Sequence, residues 1–265
     1  MRPQKTEGGD VMPQVTLSPV GDSAIAVDFE NRIAPEINRQ VHALAADLKK
    51  RPIAGICAMI PSFRSLLIQY NPTVLSYDAL SSRLLSRAAS CTASTETHMR
   101  IWQIPCCYGS HFGPDLPDLE QATGLDRAEI IRIHSSVTYK IYMLGFLPGF
   151  VYLGGLDPRI EMPRLASPRI KIPKGSVGIG GSQTGVYPVD SPGGWRLIGS
   201  TPVDFYDPGR NPPVLCQAGD AIRFCPISSC EYYDIRQDIR KGSYRPEVLT
   251  AKVSCTEDRK GDICQ

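Results

Sequence analysis

No stretch of this 265-residue chain is apolar for long enough to cross a bilayer. The longest runs, such as Ile53 to Ile60, fall far short of the ~20 residues that a spanning helix needs. The N-terminal MRPQKTEGGDVMPQ lacks the apolar core of a signal peptide and reads as a flexible leader over residues 1–14. An excess of charge of one sign is missing too. The 29 Lys and Arg against 27 Asp and Glu leave a net charge of +2, which implies no nucleic-acid or membrane-surface field. There is no CxxC, and the nine cysteines are an odd number. Cys106 and Cys107 are adjacent, while Cys216, Cys225 and Cys230 have no histidines at zinc spacing. These features exclude a secreted disulfide scaffold and a metal site, and leave the cysteines as small core hydrophobes or surface thiols. The expectation is a cytoplasmic globular protein with no nucleic-acid or membrane partner.

Several catalytic signatures are absent as well. The phosphate-loop pattern GxxxxGK[ST] does not occur. The dinucleotide pattern fails because Gly178 and Gly180 are followed by Gln183 where a third glycine belongs. No helix start is evident there to face a phosphate, which removes the common nucleotide folds. The amides of Gly178–Gly181 remain candidates for an anion nest. Neither Ser176 nor Ser191 lies in a GxSxG elbow, and no paired carboxylates stand out.

What the chain does have is a dense glycine- and proline-punctuated stretch from Gly145 to Arg210. Residues 145–213, about a quarter of the chain, hold 13 of the 23 glycines and 11 of the 23 prolines, about twice an even share. Such a composition makes neither a long helix nor a long strand. It is not a disordered linker either, because it carries Phe146, Phe150, Tyr152, Ile170, Ile172, Val177, Ile179, Tyr187, Trp195, Leu197 and Ile198. Shaped, packed loops among short strands are expected, and such loops carry sites.

Upstream, Val15–Val20 and Ala24–Phe29 read as strands joined at Gly21-Asp22. Ile33, Ile37, Val41, Leu44 and Leu48 then recur at helical spacing until Pro52. Gly55–Ile60 and Ser65–Tyr70 read as strands, and Tyr77–Ala89 as a helix capped by Ser76. This ββαββα order predicts an N-terminal α+β domain over residues 15–92, ending in the polar break Ser90–Thr97. A strand over His98–Ile104, a loop over Tyr108–Pro117 and a helix capped by Asp126 with Glu129 follow. Ser136–Leu144, Ala221–Pro226 and Glu231–Ile235 read as further strands. Together they predict a mainly-β barrel over residues 96–236 and a flexible tail over residues 237–265.

Within the glycine-rich stretch, Arg159, Arg164, Arg169, Lys171 and Lys174 form a cation series suited to an acidic ligand. For any one of them a solvated basic loop is the competing reading. Gln183, Thr184, Tyr187, Ser191 and Trp195 form a polar-aromatic set suited to a small polar ligand, or to satisfying loop backbone groups. His134 reads as a packed or capping residue or, if it has a proton partner, as a catalyst.

HSSVTYKIYMLGFLPGFVYLGGLD, PRLASPRIKIPKGSVGIGGSQTGVYPVDSPGGWRLIGSTP, FYDP and CYGSHFGPDL closely resemble the bacterial KipI family, also called allophanate hydrolase subunit 1 or the B subunit of 5-oxoprolinase. The resemblance runs from about Val15 to Ile235. It implies a small α+β domain followed by a cyclophilin-like barrel. It also implies one component of an ATP-dependent 5-oxoprolinase that converts 5-oxoproline to L-glutamate. The implied partners are a KipA-type protein (the C component) and a LamB/YcsF-type protein (the A component). ATP, with Mg at the level of the complex, would be used there, with no tightly bound cofactor in this chain. The alternatives within the family are an inhibitor that binds a sensor histidine kinase and a carboxyltransferase module acting on an amide or urea. On the lactam reading, His134, Arg169 and Lys174 are the candidate catalytic residues. Arg164, Gly180, Gln183, Thr184, Tyr187, Ser191 and Trp195 are the candidates for the substrate pocket. His111 departs from the small or acidic residue often found at its position.

Overall fold

The computed structural model describes residues 15–32, 34–90 and 96–254; the leader, Ile33 and most of the polar break lie outside the described residues. The chain divides into two compact units between Ser94 and Thr95. In the first, β1 (Thr16–Val20), β2 (Ala24–Asp28), α1 (Pro35–Lys50), β3 (Ile56–Pro61), β4 (Ser65–Tyr70) and α2 (Tyr77–Ser90) follow one another. The strands form one antiparallel sheet in the order β1-β2-β4-β3. Proline at the start of α1 costs no hydrogen bond, and Ile37, Val41, Leu44 and Leu48 give the helix a buried stripe. That stripe packs with Leu80 and Leu84 of α2 and with Ile25, Val27, Leu66 and Ile68 of the sheet. A shallow cleft in this unit is lined by Pro52, Ile53, Ser82, Arg83 and Arg87.

The second unit is built on β5 (Glu96–Tyr108), followed by α3 (Leu116–Thr123), α4 (Arg127–Ser136), β6 (Thr138–Leu144) and β7 (Val151–Gly154). A 3-10 turn (Pro158–Ile160) then leads to β8 (Arg169–Ile172), β9 (Ser176–Gly180), β10 (Gln183–Val186), β11 (Ser191–Gly193) and β12 (Arg196–Ser200). The elements β13 (Ala221–Pro226), α5 (Ser229–Lys241) and β14 (Val248–Ser254) complete the unit. Seven strands close into a barrel in the order β12-β9-β10-β7-β6-β13-β5, sealed where Gly199 and Ser200 meet Tyr108 and Cys107. Only β13 and β5 run parallel in that ring. The length of β5 lets its first half pair with β14 and its last residues close the barrel. The separate ribbon β8–β11 does not belong to the ring.

Three expectations are corrected. The strand expected over Glu231–Ile235 is part of α5, which starts at a capping box between Ser228 and Glu231. Of the tail expected to be flexible over residues 237–265, residues 237–241 continue α5 and Val248–Ser254 form β14, which pairs in register with Glu96–Trp102; residues 255–265 lie outside the described residues. The expected loop over Tyr108–Pro117 runs into α3 at Leu116. Truncation after Gly242 removes every β14 hydrogen bond and bares the edge of β5. We expect a melting temperature at least ~5 °C lower and concentration-dependent aggregation, read by calorimetry and light scattering.

Candidate functional site

Strand alternation sorts the candidate residues onto two sides of the barrel wall. Across β7, β10 and β9, Leu153, Thr184 and Ile179 stand in one row; Tyr152, Gly185 and Gly178 stand in the next, continued by Leu197 of β12. Leu153 and Ile179 belong to the barrel core with Val177 and Val186. Tyr152 and Leu197 instead pack outside with Phe150, Ile172, Tyr187 and Trp195.

His134 and Thr184 lie inside. Thr184 Oγ1 donates to the Gly178 carbonyl (3.0 Å), so it accepts from His134 Nε2 (2.9 Å). His134 Nδ1 then accepts from the Tyr108 hydroxyl (2.8 Å), and its ring stacks on Phe224 at 4.8 Å. Both ring nitrogens are engaged and the residue has no exposed surface. Burial pushes its pKa down to about 3. In this position His134 braces α4 against β5 and β10.

Outside, the glycines serve an aromatic ring and not a phosphate. A Cβ on Gly180 would lie 2.5 Å from Trp195 Nε1, and one on Gly185 would lie 3.0 Å from Trp195 Cζ3 and 2.6 Å from the Val151 carbonyl. The indole thus lies against bare backbone, walled by Phe150, Tyr152 and Tyr187 at ring-centroid distances of 5.5, 6.0 and 6.5 Å. The expected anion nest is corrected for the same reason. Gly178–Gly180 lie inside the paired strand β9, and the Gly181 amide donates to the Met162 carbonyl.

That last bond, with Leu165 N–H donating to the Gly194 carbonyl (2.7 Å), pins the segment carrying Arg164. The Arg164 guanidinium stands 5.8 Å from the Trp195 ring centroid. Burial raises the Tyr152 and Tyr187 phenols, and the Arg164 charge opposes that shift at both.

The other four cations of the series face carboxylates: Arg159 meets Asp157 (2.7 Å), Arg169 meets Asp115 (2.5 Å), Lys171 meets Asp190 (2.9 Å) and Lys174 meets Asp204 (2.9 Å). Among the described residues Arg164 alone of the five has no carboxylate partner. The structure therefore gathers Gly180, Tyr187, Trp195 and Arg164 on the outer face, with Arg169 and Ser191 on the adjoining ribbon. Gln183 is half-buried beside them, opposite Gly180. Lys174 is turned to Asp204, and its amide donates to Asp190 (2.8 Å).

The sequence did not single out Asp115. Its buried carboxylate accepts from Arg169 Nη2 and from the Leu197 amide (2.6 Å), tying the ribbon to β12. It lies in the CYGSHFGPDL block, yet nothing local shows a reach of 54 residues. Among the described residues no group of three or more His, Cys, Asp or Glu could hold a metal, and no helix is long and apolar enough to cross a membrane.

Residues 15–216 match the family model of the carboxyltransferase domain, subdomain C and D, which places the chain in that class. The urea amidolyase of Kluyveromyces lactis has the same fold, with a TM-score of 0.80 at 21% identity, over 94% of this chain and 17% of that one. The 5-oxoprolinase B subunit of Bacillus subtilis (strain 168) is 41% identical over 84% of this chain and 97% of its own length. That of Escherichia coli O157:H7 is 39% identical over 78% and 94%. The chain belongs to the family of 5-oxoprolinase B subunits.

Two outcomes follow. Gly180→Val should displace the indole, lowering stability by about 2 kcal/mol or more and red-shifting tryptophan emission. His134 binds its proton far more weakly folded than unfolded, so it leaves stability untouched above pH ~6.5. Below that pH it removes up to about 1.4 kcal/mol per pH unit until about pH 3. An NMR titration should show no protonation of His134 between pH 5 and 8.

Proposed function

We propose that this chain is the B subunit of an ATP-dependent 5-oxoprolinase that opens 5-oxoproline to L-glutamate in the cytoplasm. On this reading the barrel is cyclophilin-like, and the substrate is received on its outer wall at Arg164, beside the buried aromatic cluster. The observation that carries the proposal is Arg164. It is an exposed guanidinium without a carboxylate of its own, over the indole of Trp195, in a chain 41% identical to a 5-oxoprolinase B subunit. A planar guanidinium pairs with a carboxylate in two parallel hydrogen bonds, and the aromatic wall lowers the local dielectric that would weaken them. The carboxylate of 5-oxoproline suits Arg164, which is exposed beside the buried Trp195.

The glycine amides belong to the sheet, and Arg159, Arg169, Lys171 and Lys174 are neutralised by carboxylates. ATP and its Mg are accordingly assigned to the assembly with a KipA-type protein and a LamB/YcsF-type protein. This chain's part is to bind and orient the lactam. A second reading, a carboxyltransferase module for an amide or urea, is favoured by the family-model match. It would show as a requirement for bicarbonate.

The test is glutamate release from 5-oxoproline and ATP by the three proteins together, with and without this chain. We expect release to require it, and Arg164→Ala to raise KM for 5-oxoproline about tenfold or more with a smaller effect on kcat. Release that is indifferent to this chain overturns the proposal.

A further inference from the structure

The buried hydroxyls of the second unit are almost all partnered. Ser176 Oγ donates to the Pro173 carbonyl, Thr184 Oγ1 to the Gly178 carbonyl, and Thr201 Oγ1 accepts from the Val203 amide. Ser200 Oγ lies 3.4 Å from the Tyr232 hydroxyl. Ser191 is the exception. It is 6% exposed, and its Oγ has no partner. One other buried donor in this unit is likewise unpartnered: Nη1 of Arg169, whose Nη2 is held by Asp115.

Both orphans lie on one ribbon, where Ser191 pairs with Ile172 and Gly193 with Arg169. The register slips between Ser191 and Gly193, a bulge of the kind that re-aims a side chain. The ribbon adjoins the aromatic face, since a Cβ on Gly193 would stand 2.5 Å from the Tyr187 hydroxyl oxygen. A folded chain rarely leaves two buried donors unmatched on one short element unless something else matches them.

We propose that Ser191 Oγ and Arg169 Nη1 form a second recognition point on this face, specific for the ring carbonyl oxygen of the lactam. This rests on the reading above: Arg164 takes the carboxylate, and the ribbon donors take the carbonyl. A site that holds a carbonyl with buried donors discriminates strongly against an analogue lacking it, because those donors are then left unmatched. Ser191 is thus a specificity-determining residue. Arg169 has a double role, with one nitrogen on Asp115 and the other on the ligand.

The experiment is a calorimetric titration of the reconstituted three-protein assembly with three probes. These are 5-oxoproline, L-proline (which lacks the ring carbonyl) and 2-pyrrolidinone (which lacks the carboxylate). In the native assembly both analogues should bind more weakly than 5-oxoproline. Ser191→Ala should reduce the preference for 5-oxoproline over L-proline roughly five- to tenfold while leaving the preference over 2-pyrrolidinone unchanged. Arg164→Ala should do the reverse. Ser191→Thr keeps a hydroxyl and serves as a second variant, expected to retain more of the preference than Ser191→Ala. A Ser191→Ala assembly that still discriminates like the native one overturns this inference alone. An assembly that binds 5-oxoproline no better than either analogue overturns both it and the oxoprolinase reading.

Discussion

The indole of Trp195 can lie on the barrel wall only because Gly178, Gly180 and Gly185 leave that wall without side chains. Any larger residue at Gly180 or Gly185 would lift the ring, and with it the contacts to Phe150, Tyr152 and Tyr187. One sheet therefore serves two packing surfaces. Its inner rows, with Val177, Ile179 and Val186, build the barrel core, and its outer rows are flat enough to seat an aromatic cluster. Close contact of a large ring with backbone gains dispersion energy that a looser seat would forfeit. The segment 162–165 is pinned to the same wall through Gly181 and Gly194, so the position of Arg164 is inherited from the position of the ring.

Charge is distributed to leave that one cation available. A paired cation carries little net field, and an anion recruited to it must compete with the resident carboxylate. Four of the five cations in the glycine-rich stretch are in that state. His134 cannot add a charge either, since burial keeps it neutral across the physiological range. Arg164 stands over Trp195 with no carboxylate at ion-pair distance among the described residues.

Much of the architecture was legible in the sequence because it is local. The spacing of Ile37, Val41, Leu44 and Leu48 marks α1, and Gly21-Asp22 marks the β1–β2 turn. The Asp126 cap with Glu129 marks α4, and the Asp126 side chain does accept from the Glu129 amide. The same signature at Ser228 and Glu231 marks α5, although Tyr232, Tyr233 and Ile235 behind it also fit a strand. β14 was illegible for another reason. VLTAKVS gains its structure from pairing with Glu96–Trp102, far away in the chain. At the site, composition identified the stretch but not the side of the wall on which each residue falls. Thr184 and Gly185 are neighbours in sequence and face opposite surfaces. Which cations are neutralised was beyond reach too, since the decisive partners Asp115 and Asp204 lie 54 and 30 residues from Arg169 and Lys174.

Asp115 shows why loss of activity at Arg169 would not by itself reveal a catalytic role. Its carboxylate is 7% exposed and holds both Arg169 and the Leu197 amide. Removing the guanidinium leaves that charge buried and half-matched, a change that typically costs about 3–5 kcal/mol. The ribbon β8–β11 would loosen from β12, and Ser191 would move with it. If the ribbon recognises the lactam as proposed, fold and recognition are coupled through one carboxylate. Only a readout that compares ligands with one another, and not overall activity, separates what Arg169 does for the barrel from the substrate role proposed for it.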